Sequence, residues 1–355
     1  MFEQPSLVVQ KSCGETALTI TRELGLLGRG FRITLANGEI MIPLRRKPSL
    51  EELSVLQAKL QGFKISSHSF MTKRKRPRDL LEALTGLVPS SLLSHVPRSF
   101  DIIGNIALLE IPRDLSDYSE AIAEALIHVN PHVKTVLAKA SPITSTFRTR
   151  DFKILVGEDL TLTEHIEHGC VFRVDPRKAY FSPRLSYERQ RVSLSVRSGE
   201  IIVDMFAGVG PFSIMAAKLG KAKKVYGIDI NPEAVSFMLQ NIMMNDLRGK
   251  VSAILADSAS TPAQLLEHVA DHIIMNLPKE SLPYITHACD FLRPEGGLIH
   301  FYTITSEKAS AEAIVSLLKA GVEKSGRTFK AIKFMRDVKA VAPREKQLAI
   351  DLEVY

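Results

Sequence analysis

From residue 201 onward, short apolar runs alternate with stretches of helical periodicity, and this alternation constrains the fold more than any other feature of the chain. Ile201-Ile202-Val203-Asp204-Met205-Phe206 reads as a buried strand running into a glycine-rich turn, Ala207-Gly208-Val209-Gly210. Pro211 then suits the first turn of a helix. Further strands are predicted at 225–229, 251–255, 272–275 and 298–304, with helices at 232–244, 262–268, 282–292 and 307–318. Strands alternating with helices predict a doubly wound parallel α/β sheet. The last two strands, 329–335 and 348–354, follow each other without a helix, which predicts an antiparallel hairpin at one sheet edge.

The chain has 355 residues, more than one ordinary domain, so the front must hold further domains. Residues 1–68 contain an amphipathic helix at 15–27, strand-like runs at 31–35 and 40–44, and a helix at 50–60. Asn37-Gly38 between the two runs is a hairpin signal, and the whole reads as a small α+β module. A basic linker is expected at 69–78. Residues 79–190 mix strands at 106–111, 133–137, 152–155 and 170–174 with a helix at 118–128, a second α+β domain. Residues 191–355 are left for the sheet domain.

The net charge of +7 has its origin in the first hundred residues, which hold 15 Lys and Arg against 8 Asp and Glu. Arg45-Arg46-Lys47 and Lys73-Arg74-Lys75-Arg76 are the dense runs there. A third basic stretch, 173–197, has seven Arg or Lys against Asp175 and Glu188. One such run alone is more often a solvated surface; several dispersed patches attract a phosphate backbone. A composition of 45% hydrophobic and 24% charged residues excludes a mostly disordered chain. No apolar run approaches the roughly 18 to 20 residues that span a bilayer. The first residues lack a secretory pattern, and Cys13, Cys170 and Cys289 lie too far apart for a disulfide framework. A cytoplasmic monomer is expected, with no membrane association and no obligate protein partner. His165, His168 and Cys170 lack a second ligand pair, so no metal site is expected.

A glycine-rich turn after the first strand of such a sheet is a ligand site by construction. The turn here lacks the third glycine of a dinucleotide fingerprint and the Gly-Lys-Ser/Thr of a P-loop. Asp204-Met205-Phe206-Ala207-Gly208-Val209-Gly210 instead resembles the S-adenosylmethionine loop of class I methyltransferases. Asp229 ends the second strand, where an acid takes ribose hydroxyls, and Asn231 follows it. Asp257 comes after the third strand, placed for an adenine edge. Three acids in order, at 204, 229 and 257, are a far more specific signal than one. The fourth strand ends in Asn276-Leu277-Pro278-Lys279, which resembles the Asn/Asp-Pro-Pro-aromatic loop of methyltransferases acting on planar nitrogen. Lys279 stands in the aromatic's place, which argues against stacking there. The structural alternative for Asn276 is a helix cap.

Ahead of the sheet, Tyr180-Phe181-Ser182-Pro183-Arg184-Leu185-Ser186-Tyr187-Glu188-Arg189 could be no more than a turn and a helix with Arg184 and Glu188 as an i,i+4 pair. Together with the 203–213 and 275–279 segments, and with Ser99-Phe100-Asp101-Ile102-Ile103-Gly104-Asn105, it resembles the archaeal and eukaryal tRNA (guanine-N1)-methyltransferases that act on position 37. The resemblance runs from about residue 79 to the end, and the first module is similar in outline to the tRNA-contacting first domain of archaeal members. It implies a class I, Rossmann-like catalytic domain, S-adenosyl-L-methionine as cofactor and tRNA as partner. Guanine N1 carries a proton, so methyl transfer needs a base and a group to stabilise charge on O6. The resemblance makes Glu188 the base and Arg148 the O6 partner, with Arg150 able to exchange roles with it. Asn276 would hold the guanine edge, and Tyr180 and Pro278 would line the base pocket. Val341 stands where the family has an aromatic, which leaves Lys339 as the contact from that strand. The rival on the same scaffold is a wybutosine-pathway transferase, moving an aminocarboxypropyl group or methylating a wyosine precursor. A tRNA-binding protein without catalysis is the rival of another class.

Overall fold

The apolar runs of the C-terminal half pair into one seven-stranded sheet. Val251–Leu255, Lys224–Asp229, Ile201–Asp204, His272–Met275 and Gly297–Thr305 lie side by side and parallel. Glu345–Val354 and Phe329–Ala342 complete the sheet by antiparallel pairing. The last strand thus inserts next to Gly297–Thr305 and leaves Phe329–Ala342 at the edge, as expected, in a hairpin longer than its sequence signal. Ile201–Asp204 lies at the point where the strand order turns back, so a crevice opens beyond its carboxyl end.

The computed structural model describes residues 2–72, 77–141, 150–259, 266–306, 309–342 and 344–355. Helices Pro211–Lys218, Pro232–Met244, Ile285–Phe291 and Ala311–Lys324 connect the strands. The last begins later than its periodicity suggests because Ser310 caps it, accepting from the Ala313 amide at 3.2 Å. Most of the helix expected at 262–268 lies outside the described residues, as does the run Lys73–Arg76.

The chain divides into two compact units, Met1–Pro77 and Arg78–Tyr355. In the larger unit a four-stranded sheet, Asp101–Ile103, Ile106–Leu109, Thr135–Lys139 and Phe152–Val156, precedes a hairpin of Thr163–Glu167 with Cys170–Val174. Residue 190 lies inside the helix Ser186–Ser195, and one apolar core runs on both sides of it. Ile103, Leu108 and Leu137 of the four-stranded sheet share that core with Phe172, Val192, Ile202 and Phe212.

The smaller unit is an antiparallel sheet in the order Thr34–Ala36, Glu39–Pro43, Phe2–Gln10, Lys64–Phe70, with helices Gly14–Glu23 and Leu50–Lys59. Asn37 and Gly38 both have positive φ, 52° and 78°, so the expected two-residue hairpin forms there. Phe2–Gln10 carries no strand signal because Pro5 interrupts it. The proline is tolerated because it lies outside the register with Glu39–Pro43, which begins at Ser6. Among the described residues, no helix is long and apolar enough to cross a membrane.

Candidate active site

The crevice at the carboxyl ends of the sheet holds a cleft that brings together most of the residues singled out from the sequence. Phe206, Gly208, Asp229, Asn231, Asp257 and Asn276 all line it, with Tyr180 at its rim. Gly208 has a φ of 56°, and a Cβ there would meet nothing closer than the Tyr180 carbonyl oxygen at 3.8 Å, so the loop is open toward the cleft. Its amide donates to Asp229 Oδ2 at 2.7 Å, and the Asn231 amide donates to Oδ1 at 2.9 Å. Burial raises the Asp229 carboxyl above the usual carboxylate range, while these amides pull it back. Asn231 also caps Pro232–Met244 and donates its Nδ2 to the Lys178 carbonyl at 2.8 Å. Asp257 accepts from the Ala259 amide at 2.9 Å. Tyr284, which carries no motif, packs edge-on against Phe206 at 5.1 Å and closes the same wall.

Two loop residues stand behind the cleft and do not line it. A Cβ on Gly210 would lie 2.8 Å from Met238 Cγ, and its φ is 86°, so the glycine serves packing and backbone direction. Asp204 is fully buried, accepts from the Ser213 hydroxyl at 2.8 Å, and leaves Oδ1 without a partner. Burial pushes its carboxyl up to about 7. Its part is to hold the loop to the following helix.

A second opening adjoins the first. Tyr180 and Asn276 line both, and Pro278, Lys279, Lys339, Arg150, Lys139 and Arg113 line the second, against Glu110 and Glu345. This cluster of cations is suited to phosphates. Lys339 donates to the Ser182 hydroxyl at 3.0 Å. Arg148 lies outside the described residues. Asn276 caps no helix, since Ser281 occupies the cap position ahead of the next helical turn. Its Oδ1 accepts instead from Gln347 Nε2 at 3.4 Å, a partner contributed by the last strand.

The Ser-Pro-Arg-x-x-x-Glu-Arg segment folds differently from the simple i,i+4 alternative. Arg184 sits in a 3₁₀ turn and pairs with Asp101 at 2.6 Å. Glu188 is 1% exposed, and its Oε2 accepts from Arg191 Nε at 2.9 Å and from the Tyr302 hydroxyl at 3.2 Å. Its Oε1 has no partner. Leu185 and Arg189, on either side of it in sequence, line the cleft, and Glu188 itself is not among the lining residues. Arg189 is also 1% exposed and clamps both oxygens of Glu167, at 2.9 and 2.7 Å, while donating to the Ser182 carbonyl at 2.8 Å. Tyr302 and Gln347 escape sequence reasoning because their partners lie 114 and 71 residues away, and Arg191 because its second partner, Asp351, lies 160 residues away.

His165 accepts from the Gly104 amide at 3.1 Å and meets Glu167 at 3.1 Å, and His168 bonds the Ser186 hydroxyl at 3.1 Å. Among the described residues no group of His, Cys, Asp and Glu is arranged to hold a metal ion.

Known proteins match this chain along its length. The family described as the TRM5/TYW2 methyltransferase domain matches residues 163–329, and the TYW2 N-terminal domain matches residues 80–161. The tRNA (guanine(37)-N(1))-methyltransferase Trm5b of Pyrococcus abyssi is 36% identical over 94% of this chain and 93% of its own. The tRNA(Phe) (4-demethylwyosine(37)-C(7)) aminocarboxypropyltransferase of Pyrococcus horikoshii is 31% identical over 80% of this chain and 99% of its own. A solved complex of aTrm5 with tRNALeu superposes with a TM-score of 0.73 at 32% identity, covering 99% of both chains. With a full-length relative above 30% identity and the methyltransferase domain built around the cleft just described, the chain belongs to the TRM5/TYW2 methyltransferase family.

Proposed function

We propose that this enzyme methylates N1 of guanine 37 in tRNA, with Glu188 as the base. Membership of the family makes the coarser statement firm: it is an S-adenosylmethionine-dependent tRNA-modifying transferase. The cleft fits that cofactor chemically. Asp229 has oxygens braced by two amides for a diol, Asp257 lies beyond the third strand for a purine edge, and Gly208 leaves room where a Cβ would intrude. When bound, the cofactor supplies an electrophilic methyl group on a sulfonium.

The observation that carries the reading is the Glu188 carboxylate: buried, oriented by Arg191 and Tyr302 through one oxygen, with the other oxygen unpartnered. A buried polar atom left without a partner is costly unless it serves a step. In that step Glu188 Oε1 turns toward the cleft and takes the proton from guanine N1, leaving the N1 lone pair free for the methyl group that the bound cofactor would supply. Arg148, or Arg150 at the rim of the second opening, offsets the charge that develops on O6. Asn276 holds the guanine edge, Tyr180 and Pro278 wall the base, and Lys339 with its cationic neighbours takes the flanking phosphates. Residues 1–68 form a separate tRNA-contacting module, joined by the basic linker to the rest.

The match of residues 80–161 to a TYW2 N-terminal domain favours a second reading, aminocarboxypropyl transfer to a modified position 37. Mass mapping of an unmodified tRNA transcript after incubation with cofactor separates them. One added methyl on guanine 37 supports the proposal; no product, or a larger added mass, overturns it.

A further inference from the structure

Away from the cleft, a chain of buried polar side chains leads from Glu188 across the sheet. Arg191 joins Glu188 to Asp351, donating to Asp351 at 2.5 and 3.2 Å, with the Phe334 ring 4.0 Å from its guanidinium carbon. Asp351 Oδ1 meets His300 Nδ1 at 2.8 Å across a register pair of the Gly297–Thr305 and Glu345–Val354 strands. His300 Nε2 meets His272 Nδ1 at 3.0 Å, the two ring planes differing by 12°. His272 Nε2 meets Glu200 Oε2 at 3.0 Å, where the chain reaches partly exposed surface.

The protons of this chain can be counted. Three contacts link carboxylate, imidazole, imidazole and carboxylate, and each needs one proton between its heavy atoms. A neutral imidazole carries a single N–H, so two neutral rings supply two protons. Neither carboxylate is suited to supply the third. Asp351 also accepts from Arg191 at both oxygens, and the same Glu200 oxygen accepts from the Arg197 amide. We propose that the His272–His300 pair holds one excess proton near neutral pH, and that this charge makes His300 and Asp351 positioning residues for Glu188. Glu188, Arg191, Asp351, the histidine pair and Glu200 then alternate in sign. With a neutral pair, Asp351 and Glu188 would compete for the single guanidinium of Arg191 with no second positive charge beside them. Burial and the neighbouring imidazole push the His272 ring below its ordinary range. Burial tends to raise the Asp351 carboxyl, but His300 and Arg191 hold it down at about 2. Tyr302 is the further titratable group facing Glu188, and burial beside that carboxylate keeps its hydroxyl protonated well above its ordinary range.

The kinetic part of this inference rests on Glu188 being the base; the protonation state does not, so the two are tested separately. In nitrogen-15 NMR of the full-length enzyme with labelled histidines, His300→Gln and His272→Gln identify the two rings. One doubly protonated ring persisting at pH 7.5 is the expected result, and two neutral rings overturn the proposal. In single turnover, His300→Gln keeps a hydrogen-bond donor for Asp351 but removes the charge. Its rising pH limb should move up by about half a unit or more, a roughly threefold loss on that limb. Cofactor affinity should not change. The double variant His300→Gln/Asp351→Asn removes the uncompensated charge as well and should return the limb toward wild type. An unmoved limb in His300→Gln overturns the positioning role, and so does a double variant no better than the single. A rate unaffected by Glu188→Gln would instead remove the base, leaving the NMR result to stand or fall alone.

Discussion

The Gly208 amide donates to Asp229 Oδ2 at 2.7 Å, tying the loop after the first strand to the end of the second. The Asn231 amide holds the other oxygen, so the carboxylate presents its remaining lone pairs to the cleft in a fixed direction. Replacing Asp229 by Ala should therefore weaken S-adenosylmethionine binding by about 1.5 to 3 kcal/mol, the range for hydrogen bonds to a charged group. Titration calorimetry reads this directly, and an unchanged affinity would remove Asp229 from the site.

Asp204 should impose a pH dependence on stability. Its folded carboxyl lies near 7, above the ordinary value of 3.8 from which burial has raised it. The native state then binds more protons than the unfolded state between those values, and stability falls as pH rises through that window. Wild type should lose on the order of 1 to 4 kcal/mol to this group between pH 4 and pH 8. Asp204→Asn should lack that component in urea melts taken across the series. Parallel pH profiles for the two proteins would show that Asp204 is ionised throughout.

Glu188→Gln retains the size of the side chain but cannot accept the N1 proton. Loss of a general base costs about 10² to 10⁴ in the chemical step. The loss should appear in single-turnover rate, with cofactor and tRNA affinities near wild type and the rising pH limb gone. Arg148→Ala should also be slow, yet keep the wild-type pH shape, because it acts on O6. A Glu188→Gln rate within about threefold of wild type would end the catalytic assignment.

Two arginines five residues apart should differ sharply in their weight. Arg189 is enclosed with Glu167, and removing one member of a buried pair strands the other's charge. Arg189→Ala should cost about 3 to 5 kcal/mol in denaturant unfolding. Arg184 pairs with Asp101 while 40% exposed, so Arg184→Ala should cost about 1 kcal/mol or less. Equal costs would contradict the burial difference.

Deletion of residues 1–77, at the edge of the first compact unit, tests the proposed contact of that unit with tRNA. The KM for tRNA should rise and its salt dependence flatten, with single-turnover rate at saturating tRNA little changed. A KM that follows the wild-type salt series would make the unit structural.

Local pattern along the chain is enough to give the doubly wound sheet, its antiparallel end and most of the cleft wall. Each of those rests on short-range pattern: alternating apolar runs, Gly208 and Gly210 in one turn, and acids at three successive strand ends. Local signals failed where tertiary packing supplies the stabilisation. Phe2–Gln10 is a central strand despite Pro5, and Thr163–Glu167 is a strand although its sequence is mostly polar. Tertiary structure also sorted residues that look equivalent in the motifs. Asp204 went under the loop and Asp229 into the cleft; Arg184 went to Asp101, and Arg189 into a buried pair. The distant part of the surroundings of Glu188 was decided by the sheet. Arg191 lies one helical turn from it, but Tyr302 and Asp351 arrive from strands more than a hundred residues on. Spacing along a chain encodes which face of a helix or strand a side chain takes. Which distant charge meets it there is set by strand order and register, and these exist only once the sheet has formed.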